Sequence, residues 1–144
     1  MRLDEVENYT QLKDILEKAN WRKFEEIVGK IFEYNGYEVK VSKVVSFENT
    51  KRQYDVIAKR NHCIIVDCKR WDNKRRIKHG LRKAVEDQIE RIKKLSTERE
   101  KYPLIVLSCF SPIERFNKVP IISVYKLNSF LTNFSLAKQN ILSI

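Results

Sequence analysis

The sequence predicts an α/β fold in which helices flank a mixed β-sheet, and three observations carry that reading. The stretch WRKFEEIVGKIFEYN, residues 21 to 35, places Trp21, Phe24, Ile27, Val28, Ile31 and Phe32 at the spacing of one helix face. Three strand-like segments follow: YEVKVSKVVSF, which alternates Tyr37, Val39 and Val41 with polar residues, then QYDVIAKR and CIIVDCKRW. Finally YPLIVLSCF, Tyr102 to Phe110, is an apolar run of the kind a strand covered on both faces requires, and it belongs at the centre of the sheet.

The remaining elements fall into place around these. A shorter helix is expected around Tyr9 to Ala19, and Gly36 stops the first long helix in the usual C-terminal position. The turn-like RNH between the second and third strands makes the three an antiparallel set. After a basic loop, Leu81, Ala84, Val85, Ile89, Ile92 and Leu95 mark a second long helix. VPIISVY, Val119 to Tyr125, reads as a further short strand and KLNSFLTNF as a closing helix, giving the order α-α-β-β-β-α-β-β-α. The final SLAKQNILSI has no partner in this scheme. At 144 residues the chain suits one domain, 1–144, with one hydrophobic core.

Composition narrows the function. No apolar run reaches the roughly 20 residues of a membrane span, and the opening MRLDEVENYT lacks the apolar stretch of a signal peptide, so a soluble, cytoplasmic protein with no membrane partner is expected. Cys63, Cys68 and Cys109 are odd in number and lie in or beside apolar stretches, which points to reduced thiols. His62 and His79 stand apart, and Cys63 with Cys68 lacks a second pair, so the pattern argues against zinc. The net charge is +10 and the pI about 9.6. Lys69, Arg70, Lys74, Arg75, Arg76, Lys78, Arg82 and Lys83 crowd together with Asp72 as the main interruption. Such a cluster repels itself unless an anion comes to it, and nucleic acid is the partner class it suits best. Trp71 beside Arg70 suits stacking on a base as well as core packing; Tyr54 suits the core.

The chemistry concentrates in IIVDCKRW, where Asp67 and Lys69 follow the most apolar strand and share one face. Asp55, in QYDVIA, lies in the preceding strand, and a hairpin through Asn61 and His62 brings the two acids to one region. Taken alone, Asp67 and Lys69 would also fit a surface salt bridge. Converging buried acids, however, need protons or a cation, and hard carboxylate oxygens suit Mg²⁺. At roughly 100° per residue, Glu25 flanks the apolar stripe of its helix and reaches the sheet, while Glu26 points away. Gln88 occupies an apolar position between Val85 and Ile92 and needs a polar partner, which a loop backbone or the site itself would supply.

Together, Glu25, Gly36-Tyr37, YDVIA with Asp55, VDCKRW with Asp67 and Lys69, and Gln88 resemble the PD-(D/E)xK nuclease superfamily, most closely its Mrr-type restriction endonucleases, relatives of the archaeal Holliday-junction resolvases. The resemblance spans about residues 20–131 and implies a restriction-endonuclease-like fold. It further implies that Asp55 and Asp67 hold Mg²⁺, or Mn²⁺ in its place, that Glu25 completes or orients the site, and that the Cys68 carbonyl adds a ligand. Lys69 would position the attacking water or stabilise the phosphorane, with Gln88 beside it. No proline precedes Asp55, and Asp67 stands where a glutamate is frequent. The implied activity is a metal-dependent DNA endonuclease of restriction or defence type. A Holliday-junction or branched-DNA resolvase and a non-catalytic nucleic-acid-binding module are the alternatives. Arg70, Lys74, Arg75, Arg76, Lys78 and Arg82 are the expected DNA contacts, and a homodimer is expected for double-strand cleavage, with the tail NILSI a candidate for its interface.

Overall fold

The computed structural model describes residues 9–18, 20–70, 74–95, 99–111 and 113–144, with the side chains of 9, 10, 47, 50 and 74–78 left out. In chain order the elements are α1 (Tyr9–Glu17), α2 (Trp21–Tyr34), β1 (Glu38–Phe47), β2 (Thr50–Lys59), β3 (Cys63–Lys69), α3 (Lys74–Lys93), β4 (Lys101–Leu107), β5 (Arg115–Phe116), β6 (Val119–Ser123), α4 (Val124–Thr132) and α5 (Phe134–Ala137). Among the described residues the strands form one sheet in the order β1-β2-β3-β4-β6-β5. The first three are antiparallel, and β3, β4 and β6 are parallel.

Alternation of the strands accounts for the layering. Val56, Ala58, Ile64, Val66, Leu104 and Val106 face Phe24, Ile27 and Phe32 of α2 and Val124 and Leu127 of α4. The residues between them face α3: Ile57, Cys63 and Ile65 meet Ile92 and Leu95, while Ile105, Leu107 and Ile121 meet Leu81 and Val85. β4 is therefore covered on both sides, which its apolar run requires. Asn20 caps α2 by accepting the Lys23 N–H at 2.8 Å, and Gly36, with φ of +86°, ends it in the left-handed region. Gly29 lets α2 lie close on β1, since a Cβ there would meet Val41 Cγ2 at 2.9 Å.

Several details differ from the sequence expectation. α3 starts at Lys74, so half of the expected basic loop is helix; nothing in KRRIKH breaks one, and Lys and Arg are good helix formers. α4 starts at Val124 because Ser123 caps it, its Oγ accepting the Tyr125 N–H at 3.4 Å, although Val124 and Tyr125 read as strand by residue type. β5 is too short to leave a periodic signal and reaches β6 through Asn117 and Lys118, both at positive φ. The tail is bound within the chain. Ile141 and Leu142 pack on the core, Leu142 N–H donates to the Lys118 carbonyl at 2.9 Å, and Ile144 exchanges two backbone hydrogen bonds with Lys101. Its apolar residues Ile141, Leu142 and Ile144 are thus partly covered within the chain itself. A chain ending at Ala137 is expected to lose about 2–3 kcal/mol of unfolding free energy from uncovered aliphatic surface, measured by urea denaturation.

His62, which stood apart in the sequence, joins an aromatic cluster. It bonds the Tyr37 hydroxyl at 2.8 Å, lies 4.5 Å from the Phe134 ring and meets Tyr102 edge-on. Burial, with help from Arg60 and Lys138, lowers its pKa below 6.5. The unfolded chain then takes up a proton before the folded one does, so stability present above pH 6.5 is lost as pH falls through the lowered value. Relative to His62→Phe, the wild-type urea midpoint should therefore lose ground as pH is lowered from about 8 to 5, a difference that isolates the histidine from the carboxylates titrating in the same range.

Candidate active site

β2 and β3 pair from Lys59 opposite Cys63 to Val56 opposite Val66, and the pairing stops there. Beyond that point β2 stays with β1 and β3 stays with β4, so the two strands part at the next residues in line, Asp55 and Asp67. Asp55 bridges the opening: its Oδ2 accepts the Cys68 backbone N–H at 2.8 Å, a bond a strand carbonyl would otherwise accept. Successive carbonyls of a strand point to opposite sides. Lys69 accepts the Ser108 N–H at 3.0 Å on the β4 side, so the Cys68 carbonyl points into the opening.

The apolar start of β3 buries Asp67, which is 6% exposed. Lys69 Nζ lies 3.4 Å from its Oδ2. Burial pushes the Asp67 carboxyl up to about 7, against the pull of Lys69 and with a further push from the Asp55 charge. Glu25 arrives from α2 and is 3% exposed, with the Trp21 indole N–H donating to Oε1 at 2.7 Å and the Ser42 hydroxyl to Oε2 at 2.8 Å. Burial raises its pKa, Ser42 opposes the rise, and Asp55 adds to it. Glu26 turns outward between Arg22 and Lys23, each 3.8 Å away. Asp55 thus interacts with an acid on either side.

Three further residues shape the site. Gln88 is buried, and its Nε2 donates to the Ile65 carbonyl at 2.9 Å, fixing α3 to β3 two residues before Asp67. Ser42 has φ of +53° within β1, a left-handed conformation that costs roughly 1–3 kcal/mol in a residue with a side chain. Its hydroxyl reaches Glu25 from that turn. Arg91, one turn beyond Gln88, opposes the rise in the Asp67 pKa, and its carbonyl accepts the Tyr54 hydroxyl at 2.7 Å. Trp21, Arg22, Glu25, Ser42, Gln53, Asp55 and Arg91 line an open cleft of about 640 Å³.

Sequence reasoning singled out neither Ser42 nor Arg91, and it placed Trp21 in the core although that side chain is 44% exposed. The Trp21–Glu25 spacing of one helical turn was the available signal for the indole, and the Gln88–Arg91 spacing for the arginine. A serine within a strand carries no comparable sign. Of the expected DNA contacts, Arg70 sits half-buried just past Lys69, and Arg82 is exposed and paired with Glu86 at 3.1 Å. Lys74, Arg75, Arg76 and Lys78 lie in the first turns of α3, with side chains outside the described ones; Trp71 is wholly outside the described residues.

The acids fit a divalent cation by donor chemistry. Asp67 and Glu25 are buried beside Asp55, where protonation or a cation relieves the repulsion, and burial together with the Asp55 charge raises the pKa of both. Among the described residues no three His, Cys, Asp or Glu side chains stand in a ready-made metal-holding group, and the carboxylates face one another instead. Glu25→Gln should therefore disturb the cleft strongly and Glu26→Gln hardly at all. Cleavage assays on both variants check this, and the reverse ranking would contradict the described helix phase.

Comparison with known proteins gives a consistent answer. The family model Mrr_cat, described as restriction endonuclease, matches residues 16–107. No curated protein matches the chain. Two of the solved structures that match it illustrate the shared fold. One is a protein of unknown function, AF1548, at 16% identity and TM-score 0.57, covering 72% of this chain and 58% of its own length. The other is the small subunit, R.BspD6I2, of the heterodimeric restriction endonuclease R.BspD6I, at 14% identity and TM-score 0.54, covering 92% and 81%. The sheet, with its helices on both faces, is the restriction-endonuclease-like α/β fold, and the chain belongs to the Mrr_cat restriction endonuclease family.

Proposed function

We propose that this nuclease domain cleaves DNA phosphodiester bonds as a Mg²⁺-dependent endonuclease of restriction or defence type, acting in the cytoplasm. The observation that carries the reading is the meeting of Asp55, Asp67 and Lys69 where β2 and β3 part, with Glu25 alongside in a cleft open to solvent. A pure binding module gains nothing from carboxylates gathered where a phosphate must approach, which disfavours that alternative.

Asp55, Asp67 and the Cys68 carbonyl would hold the Mg²⁺, with Mn²⁺ able to replace it and Glu25 completing the set. The chemistry such an ion supplies is a more acidic water, shielded phosphate oxygens and a stabilised leaving 3′-oxygen. The chain's own groups do the rest. Lys69 offers its ammonium to the phosphoryl oxygens as their charge grows. Glu25, oriented by Trp21 and Ser42, holds the outer edge of the acid group. Gln88 keeps β3 seated so that Asp67 and Lys69 stay in register. Arg70, Lys74, Arg75, Arg76, Lys78 and Arg82 supply sequence-independent phosphate contacts. The described residues carry one such centre, so a double-strand break would take two copies as a homodimer, which sedimentation at cleaving concentrations tests.

Asp55→Asn or Asp67→Asn should abolish cleavage in a nicking assay while duplex binding persists; wild-type rates in either would sink the assignment. A readout independent of activity is thermal unfolding. Near pH 8, Mg²⁺ should raise the wild-type midpoint and leave that of Asp67→Asn unmoved, and the metal-free variant should itself be more stable, because it no longer buries a charge that burial disfavours. Neutralising Arg75, Arg76 and Lys78 together should flatten the slope of log affinity against log salt by nearly one for each phosphate left without its cation.

A further inference from the structure

A second cavity, of about 570 Å³, runs along β6 from Lys118 to Ser123 between α4 and the C-terminal tail. Its size falls within the roughly 300–1,000 Å³ of pockets that take small organic ligands. Pro120, Ile122, Phe130 and Ile141 give its lining apolar surface, and Arg115, Lys118 and Lys126 line it against one acid, Glu114. Phe110 lines it too and is 47% exposed in a chain whose other phenylalanines with described side chains are mostly covered. It stacks on Tyr125, with centroids 5.1 Å apart and planes at 22°, and Lys126 Nζ lies 6.0 Å from its ring centre. Phe110 thus carries Tyr125 stacked against it and an ammonium over its ring, with two more cations lining the same pocket.

The part of the pocket lined by Phe110, Ser123 and Lys126 also shares an end of the sheet with the acids, while Arg115 and Lys118 lie toward the start of β6. β3, β4 and β6 run parallel, Lys69 opposes Leu107, and Leu107 opposes Ser123. Ser108, two residues before Phe110, donates to the Lys69 carbonyl. Two strand spacings, about 10 Å, separate the end of β3 from that of β6, a reach of about three base steps along one strand.

We propose that this pocket binds a nucleotide, its base against Phe110 and its phosphate among Lys126, Arg115 and Lys118. The aromatic face explains why the site takes a ring, the excess of cations why the ring carries phosphate, and the apolar part of the lining why the base leaves water. The nucleotide comes either from a DNA strand lying across the candidate active site, a source that rests on the proposed function, or from solution as a free effector.

The test is equilibrium binding of dAMP, deoxyadenosine and inorganic phosphate to the full chain at fixed ionic strength, with Phe110→Ala, Phe110→Tyr and Lys126→Glu beside the wild type. The expected result is that dAMP binds at least tenfold more tightly than either half alone, that Phe110→Ala and Lys126→Glu each weaken it by about tenfold, the scale of one base–aromatic stack, and that Phe110→Tyr retains it. Both altered side chains are exposed, and circular dichroism confirms that the variants fold. For the source, a raised KM for DNA cleavage with unchanged kcat in Phe110→Ala supports a strand-borne nucleotide. An unchanged KM with dAMP binding abolished supports a free one. No preference for dAMP over phosphate, or equal dAMP binding by wild type and both weakening variants, overturns the proposal. Full cleavage by Asp67→Asn would instead sink the nuclease centre while leaving the dAMP result standing, so the two failures are distinguishable.

Discussion

The hydrogen bond from the Cys68 backbone N–H to Asp55 Oδ2 is the interaction on which the site depends. It stands where the antiparallel and parallel parts of the sheet separate, and it replaces the strand partner that β3 loses beyond Val66. A buried N–H without an acceptor is costly, on the order of 1–3 kcal/mol, so the carboxylate is held at the opening by a backbone requirement as well as by its own charge. With Asp55 fixed there, the alternation of β3 leaves Asp67 and Lys69 on one face beside it, and the Cys68 carbonyl turned toward it.

Around that bond the structure concentrates features that local rules disfavour. Asp67 is buried, Glu25 is buried against Asp55, and Ser42 adopts a left-handed backbone in the middle of a strand. Backbone strain and buried charge thus gather in one place, as they do at functional sites. The rest of the chain is conventional and supplies the rigidity. Gly29 seats α2 against β1, Gln88 pins α3 to β3, and Lys101 holds the end of α3 through the carbonyls of Ile92 and Leu95 at 3.0 and 2.6 Å. His62 joins the turn after β2 to Tyr37, Tyr102 and Phe134.

Much of this was legible in the residues, for identifiable reasons. The strands and long helices carry strong periodicity, and β4 announces its central place by having no polar face. Glu25 was distinguishable from Glu26 by helix phase alone, and Gln88 by its intrusion on an apolar stripe. What escaped depends on contacts distant in sequence or on very short pieces. The Ser42–Glu25 bond spans 17 positions and arises from an unusual backbone angle. The tail closes on Lys101 and Lys118 through backbone groups, which leave no trace in residue type. β5 is two residues long, and Ser123 converts a strand-like Val-Tyr into the start of a helix. The basic run changes from extended chain to helix at Lys74 without any breaker to mark the change.

The central claim is that the acids at the parting of β2 and β3 are a cation site serving phosphodiester cleavage. Anomalous diffraction from crystals of the full chain grown with Mn²⁺ tests it most directly. The account predicts a peak within ligand distance of Asp55, Asp67 and the Cys68 carbonyl, absent in Asp55→Asn. A fully bound Mn²⁺ elsewhere on the chain, with the carboxylates still facing one another and no peak between them, would contradict it.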